Sequence, residues 1–354
     1  MIFSVRRGHT APRTRGLDLS VAPRDATGVR SCFAFALVLL SGCGARTIGL
    51  DESEPAAEGG APHFPEGTWS HCTEALENPD GNVFLNGIGA VPDASLTLTE
   101  SGSTVTADYE RAPALSRILD FTVSSAASAR LSHAGQTLSG YSGLCVQGIG
   151  FSNEVPFPAS LEANGGALIE AGGTLFLSAA GTLSGVAGPC GTPSTPARAW
   201  VVCQDGPALD PVLAPNVVNG VPGGTLSCHS QIATEYQGGA TTWFIGSGGT
   251  GGTLTITQVG TELTTLYAGD PSVSGTLHLT GVATDAARSL DTESLLAPCE
   301  VPNLGDDSLA PLSVTTASLA VLGSAVLLSF TGSLGTGSPC PGARKVVTVI
   351  CPTS

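Results

Sequence analysis

The feature that most restricts what this chain can fold into is a cysteine pattern that occurs twice. Cys72, Cys145, Cys190 and Cys203 lie 73, 45 and 13 residues apart, and Cys228, Cys299, Cys340 and Cys351 lie 71, 41 and 11 residues apart. Four local matches run in the same order as the cysteines. "GTWSHC" (67–72) pairs with "GTLSCH" (224–229), and "SLTLTESGSTVTADY" (95–109) with "TLTITQVGTELTTLY" (253–267). "LSAAGTLSGVAGPC" (177–190) pairs with "LSFTGSLGTGSPC" (328–340), and "ARAWVVC" (197–203) with "ARKVVTVIC" (343–351). One such match is expected by chance in Gly- and Thr-rich sequence; four in order mark a duplication. The chain therefore reads as two homologous domains, 64–205 and 220–354, joined by a Pro- and Gly-rich linker over 206–219.

Local patterning identifies the fold class. In 95–109, Leu96 and Leu98 alternate with threonines, a Gly-containing turn follows, and Val105, Ala107 and Tyr109 alternate with polar residues. Period two on both sides of a turn predicts a β-hairpin with one face on a core. The second copy repeats this with Leu254, Ile256, Leu263 and Tyr267. Further strands are expected over 117–124, 173–179, 198–203, 276–283, 325–331 and 344–351, and none of these carries a helical period. "LAVLGSAVLLSF" (319–330) is broken by Gly323-Ser324 and reads as buried strand with a turn. The fold class is all-β: two tandem antiparallel β-domains, each a barrel or a sandwich. Gly67-Thr68-Trp69, followed by Gly-punctuated hairpins, resembles the opening of lipocalin-like barrels; the second copy has Leu226 in place of the Trp.

The N-terminal segment sets the compartment. Only Phe33 to Leu40 is continuously apolar, and eight residues are too few for a spanning helix. Basic Arg24 and Arg30 precede the run, as in a secretory signal. Leu40-Ser41-Gly42-Cys43 then resembles a bacterial lipobox. That resemblance implies cleavage before Cys43 and lipidation of its thiol, so residues 1–42 read as signal peptide and the membrane becomes a partner through the lipid. The long stretch before the apolar run points to a translation start near Val29. Residues 43–63, rich in Gly, Ala, Pro and acid, read as a flexible tether. Gly44, a non-acidic residue after the lipobox Cys, favours the outer membrane.

An exported chain in an oxidising compartment uses paired cysteines as disulfides. Matching, self-contained repeats allow three connectivities. First-to-fourth with second-to-third gives Cys72–Cys203, Cys145–Cys190, Cys228–Cys351 and Cys299–Cys340; the rival joins third to fourth. No metal site is expected. There is no Cys-x-x-Cys, and the adjacent His71-Cys72 and Cys228-His229 pairs would point to opposite faces of a strand.

Charge excludes one function class. After the signal the chain carries 27 acidic and 8 basic residues, with Lys345 the only lysine. A nucleic-acid binder needs cations against phosphate. Catalytic signatures are equally sparse. There is no Gly-x-Ser-x-Gly elbow and no His-Glu-x-x-His. "GSGGTGG" (246–252) lacks the lysine of a phosphate loop, and "ENPDGN" (77–82) resembles a calcium loop without a counterpart in the second copy. His133 and His278 sit in strand-like contexts, His278 facing solvent, and Trp200 is placed in a core. Trp243-Phe244 is the candidate contact surface for a protein, glycan or ligand, with core packing as its other reading. The resulting expectation is a lipid-anchored envelope lipoprotein with a non-enzymatic binding or structural role and no cofactor. The alternatives are a lipocalin-like carrier of a small apolar ligand and a carbohydrate-active hydrolase, the latter requiring two convergent carboxylates.

Overall fold

The computed structural model describes residues 62–77, 83–86, 94–111, 115–146, 154–184, 194–207, 215–235, 241–242, 252–269, 273–289, 293–299, 309–338 and 340–353. Cys43, Cys190, Trp243 and Phe244 lie outside them, as do residues 78–82 and 246–251 of the two loop motifs. All regular structure among the described residues is β.

The alternating hairpins close into rings. In the first repeat, β1 (Gly67–Glu77), β3 (Ser95–Ser101), β4 (Thr104–Arg111), β5 (Leu115–Ser125), β6 (Ser128–Leu131), β8 (Glu154–Ala171), β9 (Thr174–Ser184) and β10 (Ser194–Gln204) each pair antiparallel with the next, and β10 pairs back onto β1. The short β2 (Val83–Asn86) lies beside β1, and β7 (Gln136–Val146) beside β8. The second repeat follows the same plan. Its ring is β11 (Gly224–Glu235), β13 (Gly252–Val259), β14 (Glu262–Ala268), β15 (Ser274–Ala283), β16 (Ala286–Arg288), β18 (Leu309–Leu322), β19 (Ala325–Leu334) and β20 (Arg344–Pro352), closed by β11 on β20. β12 (Thr241–Thr242) pairs with β11, and β17 (Glu293–Pro298) with β15 and β18. Of the two architectures open to the sequence, each repeat is the barrel. Closure removes the exposed edges that an open sheet would leave.

Each interior is filled by the residues that the period-two pattern assigns to one face. Trp69, Leu96, Leu119, Phe121 and Leu161 pack inside barrel 1, capped by Phe64. Leu254, Leu277, Leu312, Leu328 and Val347 pack inside barrel 2, where Tyr267 meets Phe330 edge to face at 6.5 Å between ring centroids. Side-chain packing of this kind stabilises by roughly 25 cal/mol per Å² of apolar surface removed from water.

A third apolar cluster lies outside both rings and joins them in one compact unit. Phe176, Trp200, Val202, Ile169 and Ala75 of barrel 1 meet Leu327, Ile350, Ala320, Leu322 and Ala286 of barrel 2. Leu175 pairs with Cys203 and Val326 with Cys351, so Phe176 is equivalent to Leu327 and Val202 to Ile350. The two repeats therefore bury matching faces against each other, as identical subunits do across a two-fold axis. This accounts for Trp200. It is fully buried, yet in the seam between barrels and not inside one, because β10 is apolar on both faces.

Candidate functional site

The seam also gathers the polar residues with the most unusual geometry, and it begins at a disulfide. Cys72–Cys203 and Cys228–Cys351 each join the first strand of a ring to the last, with Cα atoms 4.0 and 4.1 Å apart. That spacing is near the separation of a non-hydrogen-bonded cross-strand pair, so the closed ring brings these cysteines together. Cys299–Cys340 bridges the loop ahead of β18 to the one ahead of β20. Cys145 lies on β7.

The two closing staples differ by one residue. "GTWSHC" places its cysteine one position later than "GTLSCH". Barrel 1 absorbs the extra residue as a β-bulge: the β1–β10 register shifts between Ser70 and Thr73. His71 is the extra residue, and its φ is 51°. Asp205, just beyond β10, has a φ of 57°. These are the non-glycine residues with left-handed backbone among the described residues, and they bond to each other. Such conformations cost about 1–3 kcal/mol each and persist where surrounding contacts impose them.

Here one of those contacts crosses the seam. His71 Nδ1 lies 2.8 Å from Asp205 Oδ2, and Arg344 of barrel 2 donates through one nitrogen to both Asp205 oxygens at 2.5 Å. The hydrogen bond from His71 holds the Asp205 carboxyl down, burial opposes it and Arg344 adds to the lowering, leaving a pKa of about 2. Further polar contacts run between the barrels. Gln204 Nε2 donates to Ser329 Oγ, and Ser318 Oγ donates to the Ala171 carbonyl at 2.5 Å. Burial lowers the His229 pKa while the charge of Glu77 opposes the shift, which places an acid of barrel 1 near an imidazole of barrel 2. Glu77 also pairs with Arg198 at 3.7 Å, and the Arg198 guanidinium lies 5.3 Å from the Trp200 ring centroid. Burial raises the Asp285 pKa, and Arg130 of the other barrel opposes that rise.

This cluster ties the first and last strands of barrel 1 to Arg344 of barrel 2. Ser70 Oγ approaches the same His71 nitrogen that faces Asp205, at 3.1 Å. A Ser-His-Asp relay requires the two partners on opposite ring nitrogens. The inward carboxylates are tied into the packing as well. The Tyr109 hydroxyl donates to Glu74 at 3.4 Å, and the Gly173 amide donates to Glu170 at 2.7 Å. His278 and His133 are exposed. No cluster of three metal-ligating side chains occurs among the described residues.

Barrel 2 has a groove of about 470 Å³ at one mouth, lined by Val217, Val218, Val221, Pro222, Ile256 and Gln258. Val221 occupies the place that Phe64 takes in barrel 1, three residues before the first strand, and is smaller. The Gln258 amide in its lining donates to the Gly260 carbonyl at 3.1 Å.

Sequence reasoning missed the His71–Asp205–Arg344 cluster. Its visible trace is the displaced cysteine, which marks a bulge once the two copies are aligned.

No family model matches the chain, and no curated protein matches it. Two solved structures align along most of its length. One is a protein of unknown function from the DUF3598 family of Nostoc punctiforme, at 12% identity over 80% of this chain and 95% of that one, with a TM-score of 0.23. The other is a candidate outer membrane protein from Bacteroides fragilis, at 11% identity over 81% of this chain and 97% of that one, with a TM-score of 0.24.

Proposed function

We propose that the protein is a lipid-anchored lipoprotein of the bacterial envelope, held by Cys43 in the outer membrane, with a non-enzymatic binding or structural role. The observation that carries this reading is the pairing of ring-closing disulfides with filled barrel interiors. Staples between first and last strands need an oxidising compartment to form and persist. The lipobox at Leu40–Cys43 addresses the chain to such a compartment. Packed interiors supply rigidity, and they occupy the space a carrier would leave for an apolar ligand. The engaged carboxylates count against a glycosidase, which needs an acid and a base free to face one substrate.

Metabolic labelling with an alkyne fatty acid tests the anchor. Wild-type chain is expected to take up label and fractionate with outer membranes, and Cys43→Ala to lose both. An unlabelled wild type that is recovered in soluble fractions would overturn the reading.

A further inference from the structure

We infer that Cys72–Cys203 is a thiol–disulfide exchange site, opened by a small thiol reductant while the barrel 2 staples stay closed. The two ring-closing bonds occupy equivalent positions, yet they present different surfaces. Cys72 is partly exposed, whereas Cys203, Cys228, Cys351 and Cys299 are at most 1% exposed and Cys340 is 7% exposed. The bulge at His71 shifts the first strand of barrel 1 against β10, and Cys72 within it is partly exposed while it packs against the barrel 1 core. In barrel 2, β11 pairs with β20 in regular register from His229 onward, and Cys228 is covered.

Exchange needs access to one sulfur, and of the two half-cystines Cys72 is the partly exposed one. An attacking thiolate forms a bond to Cys72 Sγ as the Cys72–Cys203 bond breaks. The bonding pair leaves on Cys203 as a thiolate. The second thiol of a dithiol reductant then attacks the mixed disulfide and releases Cys72. Two electrons pass from the dithiol, which becomes a cyclic disulfide, and its two protons end on Cys72 and Cys203. The Arg344 guanidinium is held on Asp205, two residues beyond Cys203. The same two strands carry the left-handed His71–Asp205 pair. Opening the bond therefore loosens the clasp that ties barrel 1 to Arg344.

The test uses folded mature chain, graded dithiothreitol without denaturant, trapping with N-ethylmaleimide and peptide mapping. Cys72 and Cys203 are expected to be trapped at about tenfold lower dithiothreitol than Cys228, Cys351, Cys299 and Cys340. First trapping at Cys228, Cys351, Cys299 or Cys340 would overturn the inference, as would simultaneous trapping of these with Cys72 and Cys203 and loss of the near-ultraviolet circular dichroism. A second variant, Cys228→Ala with Cys351→Ala, should leave the early phase in place; its disappearance would contradict an independent site in barrel 1.

Discussion

Barrel 1 and barrel 2 share a ring order, a closing staple and a tight turn between their two longest late strands, and at the seam polar residues set them apart. Barrel 1 inserts His71, extends Asp205 across the seam and buries Glu74 and Glu170 on its inner face. Barrel 2 has an unbulged first strand and buries Lys345 on its inner face. The apolar alternation, common to both copies, builds a barrel. The polar differences decide how two barrels meet. Two exact copies would present like charges at equivalent positions, whereas here Asp205 pairs with Arg344, the charge of Glu77 acts on His229 and that of Arg130 on Asp285.

The largest expected effect tests whether the staples are equivalent in stability. Replacing Cys72 and Cys203 together with Ala should lower unfolding stability by about 2–5 kcal/mol, and replacing Cys228 and Cys351 should do the same. The bridged residues lie 131 and 123 positions apart, too similar for chain entropy to separate them. Urea denaturation measures both, and a twofold difference would break the comparison.

The effect of Trp200→Ala is expected to be of similar size. Truncating this fully buried seam residue should cost about 3–5 kcal/mol. It should also split one unfolding transition into two, because the barrels are coupled through the cluster that Trp200 fills. Calorimetry that showed a single, lower transition would place Trp200 in an ordinary core.

A smaller effect probes Trp69 against Leu226. A side chain on Gly206 would fall inside the Trp69 indole. Gly206→Ala should cost about 1–3 kcal/mol, and adding Trp69→Leu, the residue barrel 2 uses, should recover part of it. Additive losses in the double variant would separate the two residues.

The smallest effects are electrostatic. The folded Asp205 pKa of about 2 lies below the unfolded value near 3.9, so its stabilisation is complete above about pH 4 and is lost as pH falls toward 2. Its side chain is 38% exposed, and solvent screening keeps the effect modest. Asp205→Asn should flatten the stability curve across that window. His229 acts in a different range: its pKa is lowered on folding, so stability falls as pH drops through the ordinary imidazole range near 6.5. His229→Gln should remove that slope.

Much of the ring was legible because it rests on local chemistry. Leu96, Leu98, Val105 and Tyr109 alternate as a half-buried hairpin must, and all four are buried. Gly323, at φ 62°, makes the turn that divides the apolar run at 319–330. Barrel and sandwich could not be separated, because period two is the same in both and closure depends on β1 finding β10, more than 100 residues later. The seam was hidden for a related reason. Phe176 and Val202 face outward from barrel 1, and nothing near them in sequence says that Leu327 and Ile350 will cover them. Of the candidate site, the cysteines were legible from spacing, while the clasp required knowing which residues a bulge would turn together.

Both rings close between their first and last strands. Non-reducing peptide mapping of chain recovered from cells tests this most directly. The expected products are linked peptides joining Cys72 to Cys203, Cys228 to Cys351 and Cys299 to Cys340. A peptide joining Cys72 to Cys145, or any bridge from one repeat to the other, would contradict it.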